Sequence, residues 1–260
     1  MKIDLGGKVI IVTGAGRGIG REIALMAAAA NAAVVLAART QSQLDQVASA
    51  IAASGGVAHP MPIDLREVHA SADLVKATLD RFARIDVIVN NAGATAVANT
   101  VMQRGDDLRA IYDLNVFALI ALTQAALRHM IRSRWGRIIN ISSVSAKYGP
   151  AYNSAYASSK AAVLGFTRSV ARETAALGIT SNAICPWHVK TDFVDQAMGH
   201  RARMFGKTAE SYMDEIVAAS PMKRFIEARE VAGLAVYLMS DFAAGITGQS
   251  LNVCGGTLME

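Results

Sequence analysis

Val9-Ile10-Ile11-Val12-Thr13-Gly14-Ala15-Gly16-Arg17-Gly18-Ile19-Gly20 decides the architecture of this 260-residue chain. The β-branched run 9–12 carries no polar interruption, so it reads as a strand buried on both faces, as in parallel sheets covered by helices. Glycines then turn the chain into a helical segment over about 19–30. Outward from there the same rhythm repeats. Strands are expected at 33–38, 57–63, 86–90, 137–141 and 179–184, separated by helices at 41–54, 71–82, 108–132 and 155–177. Alternation of this kind predicts an α/β fold of parallel strands joined by crossover helices. Over 186–229 the pattern loosens into an irregular, charged segment with Gly199, Gly206 and Pro221, too long for a plain connector and expected to act as a lid. A helix at 231–239 and a strand at 250–253 close the chain. With no linker, repeat or low-complexity tract, one domain spanning 1–260 is expected.

Composition narrows the classes further. Hydrophobic residues make up 52% and charged residues 18%, enough apolar material for a sizeable core. The net charge of +5 is mild and no run of five basic residues occurs, which argues against a nucleic-acid partner. Two cysteines, Cys185 and Cys254, are too few for a disulfide framework and fit a reducing compartment, with cytoplasm the expected location. The start Met1-Lys2-Ile3-Asp4-Leu5 lacks a signal core, and no uninterrupted apolar stretch reaches the ~18 residues of a membrane span, so no membrane is expected. His59, His69, His129 and His200 show no paired spacing with each other or with cysteine, and no metal site is expected.

The turn after the first strand carries the first functional signal. Gly14, Gly16, Gly18 and Gly20 allow a close backbone approach, and the following helix aims free N–H groups and its positive dipole end at an anion. Between a first strand and a first helix, this is the place of a dinucleotide diphosphate. The second strand ends Ala37-Ala38-Arg39-Thr40, without an acid to hold ribose hydroxyls. Arg39, with Arg17 in the turn, suits a 2′-phosphate instead, which favours NADP(H) over NAD(H). Asp64-Leu65 and Asn90-Asn91-Ala92-Gly93 close the third and fourth strands, where ligands collect in open parallel sheets.

Tyr156-Ala157-Ser158-Ser159-Lys160 opens the second long helix. Positions i and i+4 share a face, so the Lys160 ammonium is expected to draw the Tyr156 phenol below its ordinary pKa of about 10. Ser143, just past the fifth strand, can hold a carbonyl oxygen while the tyrosine protonates it. Asn115 is an amide inside the 108–132 helix, where such a side chain turns to water or backbone. Cys185 and Cys254 read as small buried residues.

Taken in order, the Gly14, Gly18 and Gly20 turn, Asp64, Asn90 to Gly93, Asn115, Ser143, Tyr156, Lys160, and Pro186 with Thr191 resemble the short-chain dehydrogenase/reductase family. The likeness runs from Thr13 to Gly256. It implies a single Rossmann-type domain with a doubly wound sheet of seven parallel strands and a catalytic set of Asn115, Ser143, Tyr156 and Lys160. Tyr156 would be the acid in reduction and the base in oxidation. Ser143 would hold the substrate oxygen, Lys160 would bind the nicotinamide ribose and lower the phenol pKa, and Asn115 would support a water relay. Cofactor contacts would come from Gly14, Gly16, Arg17, Gly18, Ile19, Gly20, Arg39, Asp64, Leu65, Asn91, Ala92, Gly93, Tyr156 and Lys160, with Pro186, Val189 and Thr191 beside the nicotinamide. A homotetramer is also implied. Two positions depart from the family pattern: Trp187 where glycine is common, and Cys254 where aspartate is.

The expected substrate lining is Thr95, Ser145, Tyr148, Tyr152, Trp187 and His188, which suits a ring or flat apolar body. The cations of the lid and its flanks, Lys190, Arg201, Arg203, Lys207, Lys223 and Arg224, are expected to be solvated rather than to meet an anionic substrate. Arg134 matches a docking arginine of the family's acyl-carrier reductases, and Leu177 stands where a second would be. The function expected is NADP(H)-dependent reduction of a ketone, or oxidation of a secondary alcohol, on an aromatic, cyclic or 3-oxoacyl thioester substrate. The alternatives are an NAD-dependent hydroxy-acid or secondary-alcohol dehydrogenase and a non-catalytic nucleotide-sensing module.

Overall fold

A computed structural model of the protein describes residues 2–259 and, for side chains, all of these except 192–197. Met1 and Glu260, the ends of the expected 1–260 unit, therefore lie outside the described residues. Strands β1 (Val9–Thr13), β2 (Ala33–Ala38), β3 (Val57–Pro62), β4 (Val87–Asn90), β5 (Gly136–Ile141), β6 (Ile179–Pro186) and β7 (Ser250–Val253) form one seven-stranded sheet in the order β3-β2-β1-β4-β5-β6-β7. Every pairing is parallel. The helices are α1 (Gly18–Ala29), α2 (Gln41–Ala53), α3 (Ala70–Phe82), α4 (Gly105–Tyr112), α5 (Ala118–Ser133), α6 (Ser145–Tyr148), α7 (Ser154–Thr174), α8 (Asp192–Met204), α9 (Ala209–Ala219) and α10 (Ala228–Met239).

Burial on both faces explains the unbroken apolar run of β1. Ile10 and Val12 face a core shared with α1, α2 and α10, while Val9 and Ile11 face the opposite core with α3, α5 and α7. Because side chains alternate across a strand, each face receives its own aliphatics, and each buried side chain is worth roughly 1.5–3 kcal/mol. Strand order reverses at β1, which lies between β2 and β4, and the crevice beyond the strand carboxyl ends opens there.

Two expectations need correction. The helix over 108–132 is not continuous: a π-helical turn at Asp113–Phe117 separates α4 from α5. Asn115 lies inside this turn, and its side chain binds outside its own helix. The 186–229 segment is not irregular but carries α8 and α9. Gly199 sits inside α8, and the inward seam described there is short, with Met198 and Ala202 each 1% exposed, so the helical period is hidden among charges. The combined helical run Gly105–Ser133 is also apolar and long enough, by length and composition alone, to cross a membrane. Leu122, Ala126 and Met130 on it are fully buried in the second core, which is what a core helix of a folded domain requires.

Candidate active site

The segments that follow strands β1 to β6 enclose a cavity of about 850 Å³. One end of it is shaped by the glycine turn after β1. Gly14 has φ +64°, and a side chain there would meet the Asn91 amide 2.8 Å away. At Gly20 an added Cβ would run into the Gly14 carbonyl, so this glycine serves helix-to-turn packing and does not line the cavity, contrary to its expected place among the cofactor contacts. Thr13 ties the two crevice loops together: its Oγ1 donates to the Val89 carbonyl (3.1 Å) and accepts from the Asn91 and Ala92 N–H groups (2.9 and 3.0 Å). The Asn91 amide donates back to the Thr13 carbonyl at 2.9 Å. Helix α1 begins with Arg17 at its N-cap, without a side-chain cap and without an acid in its first turn, which leaves the helix end open to an anion.

Gly14, Gly16, Arg17, Gly18, Ile19, Arg39, Asp64, Leu65, Asn91, Ala92, Gly93, Pro186, Val189 and Thr191 all line the cavity. Arg66, which the sequence reading missed, also lines it. Arg66 grips Asp64, with Nη2 to Oδ2 at 2.5 Å, and this hydrogen-bonded pair holds the Asp64 carboxyl down at about pKa 2. Arg17 and Arg39 stay exposed. A cradle of backbone N–H groups with two solvent-facing arginines beside it could hold the phosphates of a dinucleotide.

At the other side of the cavity stand Ser143, Tyr156 and Lys160. Tyr156 and Lys160 sit one turn apart on α7, with Nζ 5.8 Å from the phenol ring centroid, and Nζ donates to the Ile141 carbonyl at 2.8 Å. Ser142 braces the same helix by donating to the Lys160 carbonyl at 2.9 Å. The expected lowering of the phenol pKa by Lys160 does not occur. Burial pushes Tyr156 up to about 12 despite a hydrogen bond with the Ser143 hydroxyl, and burial pushes Lys160 down to about 8. Desolvation is the largest influence on each group, and the partner of the pair is not among the influences on either. The phenol therefore holds its proton through neutral pH. An alkaline titration at the phenolate absorbance, taken as wild type minus Tyr156→Phe, should show no ionisation step between pH 7 and about 10. A step near 8 would reinstate the lysine-lowered phenol.

Asn115 is 1% exposed and does not line the cavity. Its Oδ1 accepts the Ala94 N–H (2.8 Å), and its Nδ2 donates to the Ala94 carbonyl (2.9 Å) and the Ser159 hydroxyl (3.0 Å). The π-turn thus clamps the loop after β4 onto α7. A π-turn at such a place is common at functional sites.

Thr95, Ser145, Tyr148, Trp187 and His188 line the cavity as expected. Tyr152 does not. With φ +61° its ring turns away to pack edge-on against Phe205 at 5.4 Å, a conformation that the sequence alone does not signal. Trp187 is 9% exposed and stacks on Phe225 with centroids 6.2 Å apart, so the indole belongs both to the core and to the cavity wall. His188 lies against Trp187 at 4.8 Å, and burial, with the Arg201 charge, takes its imidazole down to about 4. Arg134 is exposed and donates to the Ala176 carbonyl at 3.2 Å. The Cys254 thiol lies 3.3 Å from the Leu258 carbonyl, and Cys185 is fully buried. Among the described residues no group of three or more His, Cys, Asp or Glu could hold a metal ion.

The chain has relatives on this plan. The family profile described as "short chain dehydrogenase" matches residues 8–201. A 3-oxoacyl-[acyl-carrier-protein] reductase of Synechocystis is 38% identical over 254 residues, covering 97% of both chains. A D-beta-hydroxybutyrate dehydrogenase of Rhizobium meliloti is 35% identical, covering 96% of this chain and 98% of that one. Among solved structures, a phenylalanine-to-tryptophan variant of the actinorhodin polyketide ketoreductase with NADPH superposes with a TM-score of 0.93 at 33% identity, covering 96% and 97% of the two chains.

Proposed function

Because the chain belongs to the short-chain dehydrogenase family of oxidoreductases, we propose that it is an NADP(H)-dependent reductase of a ketone, run in reverse as a secondary-alcohol dehydrogenase. One observation carries this reading: Ser143, Tyr156 and Lys160 meet in the same cavity as the glycine turn. Bound NADPH would supply the hydride. In this reading the Ser143 hydroxyl holds the substrate oxygen and the Tyr156 phenol delivers its proton there. A phenol at about 12 is in its protonated form at pH 7, the form that reduction requires of it. Lys160 holds the nicotinamide ribose and offsets the charge left on Tyr156 after proton transfer. Asn115 acts as a positioning residue through Ala94 and Ser159. Arg17 and Arg39 meet the 2′-phosphate. Residues 186–229 serve as the lid, and the exposed apolar residues Leu108 on α4, Phe117 in the π-turn and Ile131 on α5 suit the helix contact of a tetramer.

The names of the reductase relatives support carbonyl reduction, and the NADPH in the actinorhodin enzyme supports the cofactor. The test is a panel of aromatic ketones, 3-oxoacyl thioesters and small oxo acids followed at the nicotinamide absorbance. Turnover with NADPH is expected to exceed that with NADH by at least about tenfold, the effect of a single well-placed charge contact. A preference for NADH would reject the cofactor assignment, and no turnover of any carbonyl would reject the reaction.

A further inference from the structure

Three of the cations around the lid find side-chain partners at the surface. Lys207 pairs with Glu215 (2.6 Å), Arg224 with Glu230 (2.7 Å), and Arg203 reaches the His200 ring (3.0 Å), all on the surface. Arg201, two residues before Arg203 on α8, turns inward. It is 9% exposed, it lines the cavity, and its Nε is enclosed without a hydrogen-bond partner. Among the described residues its guanidinium makes neither an ion pair nor a hydrogen bond. A buried charge without a partner is a standing penalty on the fold, and a chain retains it where something else completes it.

Its place within the cavity indicates what that something is. The Arg201 charge acts on Tyr156, Tyr148 and His188, so it faces the reacting end rather than the arginines around Asp64. Tyr148 and His188 line the same cavity and feel its charge. A guanidinium presents its N–H groups in a planar fork that matches a carboxylate bidentately. A thioester on a carrier has no charge close to its keto group and would leave that fork empty.

We propose that Arg201 is the anion receptor of the substrate site, so that the molecule reduced is a small oxo acid whose carboxylate pairs with Arg201 while its ketone faces Tyr156. This rests on the carbonyl-reductase reading above and names its substrate class.

The experiment compares straight-chain 3-, 4- and 5-oxo acids with their methyl esters and with a 3-oxobutanoyl thioester, in wild type, Arg201→Gln and Arg201→Lys. In wild type the best acid should exceed its ester in kcat/KM. Arg201→Gln should cut that acid-to-ester ratio by about thirtyfold, mainly through KM, and Arg201→Lys should restore part of it. Thermal midpoint and NADPH affinity are read alongside. Because the variant removes an unpaired buried charge, its midpoint should hold or rise. Equal losses on acid and ester with a falling midpoint would mark Arg201 as structural and overturn the proposal, as would a loss confined to NADPH binding. Turnover of esters or the thioester but not acids would overturn it while leaving the reductase reading intact. No carbonyl turnover at all would remove the reductase reading and the inference with it.

Discussion

Replacing Tyr156 by phenylalanine is expected to slow hydride transfer about a thousandfold, within the range for a lost general acid. The expectation follows from what the phenol has that no neighbour can replace. Ser143 can hold an oxygen, but an alcohol is a far weaker acid than a phenol. Lys160, lowered by burial to about 8, is acidic enough on paper, yet its Nζ is anchored to the Ile141 carbonyl 2.8 Å away and is assigned above to the nicotinamide ribose, not to the substrate oxygen. The ring itself stays, so the pocket keeps its shape. The fold should lose no more than about 1 kcal/mol with the Ser143 hydrogen bond. Single-turnover rates with saturating NADPH isolate the step from product release. A rate within about fivefold of wild type would mean that another group delivers the proton.

The second large effect concerns the cofactor. The double variant Arg17→Ala, Arg39→Ala should lower the ratio of kcat/KM for NADPH over NADH by about a hundredfold, from roughly 1.4 kcal/mol per lost phosphate contact. Arg66 is not expected to compensate, because its guanidinium is held by Asp64 through Nε and Nη2. Both arginines are exposed, so the preference should also weaken as ionic strength rises past about 0.1 M, where screening shortens to about 10 Å. If the double variant loses NADH and NADPH equally, the arginines serve the shared diphosphate and the 2′-phosphate assignment falls.

Most strands were legible because a buried parallel strand must be apolar throughout, and few other local structures tolerate four adjacent β-branched residues. The run from Val9 to Val12 needs no context to be read, and the residues at strand ends inherit their place in the crevice from it. Asn115 was legible as an oddity but not as a clamp. Its partners Ala94 and Ser159 lie 21 and 44 residues away, and only packing α4, α5 and α7 together brings them into reach. The lid helices escaped because a charged segment with an internal glycine looks the same whether it coils or winds.

Sequence order alone determined that this chain builds a parallel sheet with a glycine-rich turn at its first strand end, and that a tyrosine and a lysine share one helix face, since both follow from local periodicity and backbone sterics. Only the tertiary structure decided the acidity of that tyrosine, the departure of Tyr152 from the cavity and the inward turn of Arg201. Each depends on how much water the surrounding elements exclude, and desolvation is a property of three-dimensional packing that no linear pattern encodes.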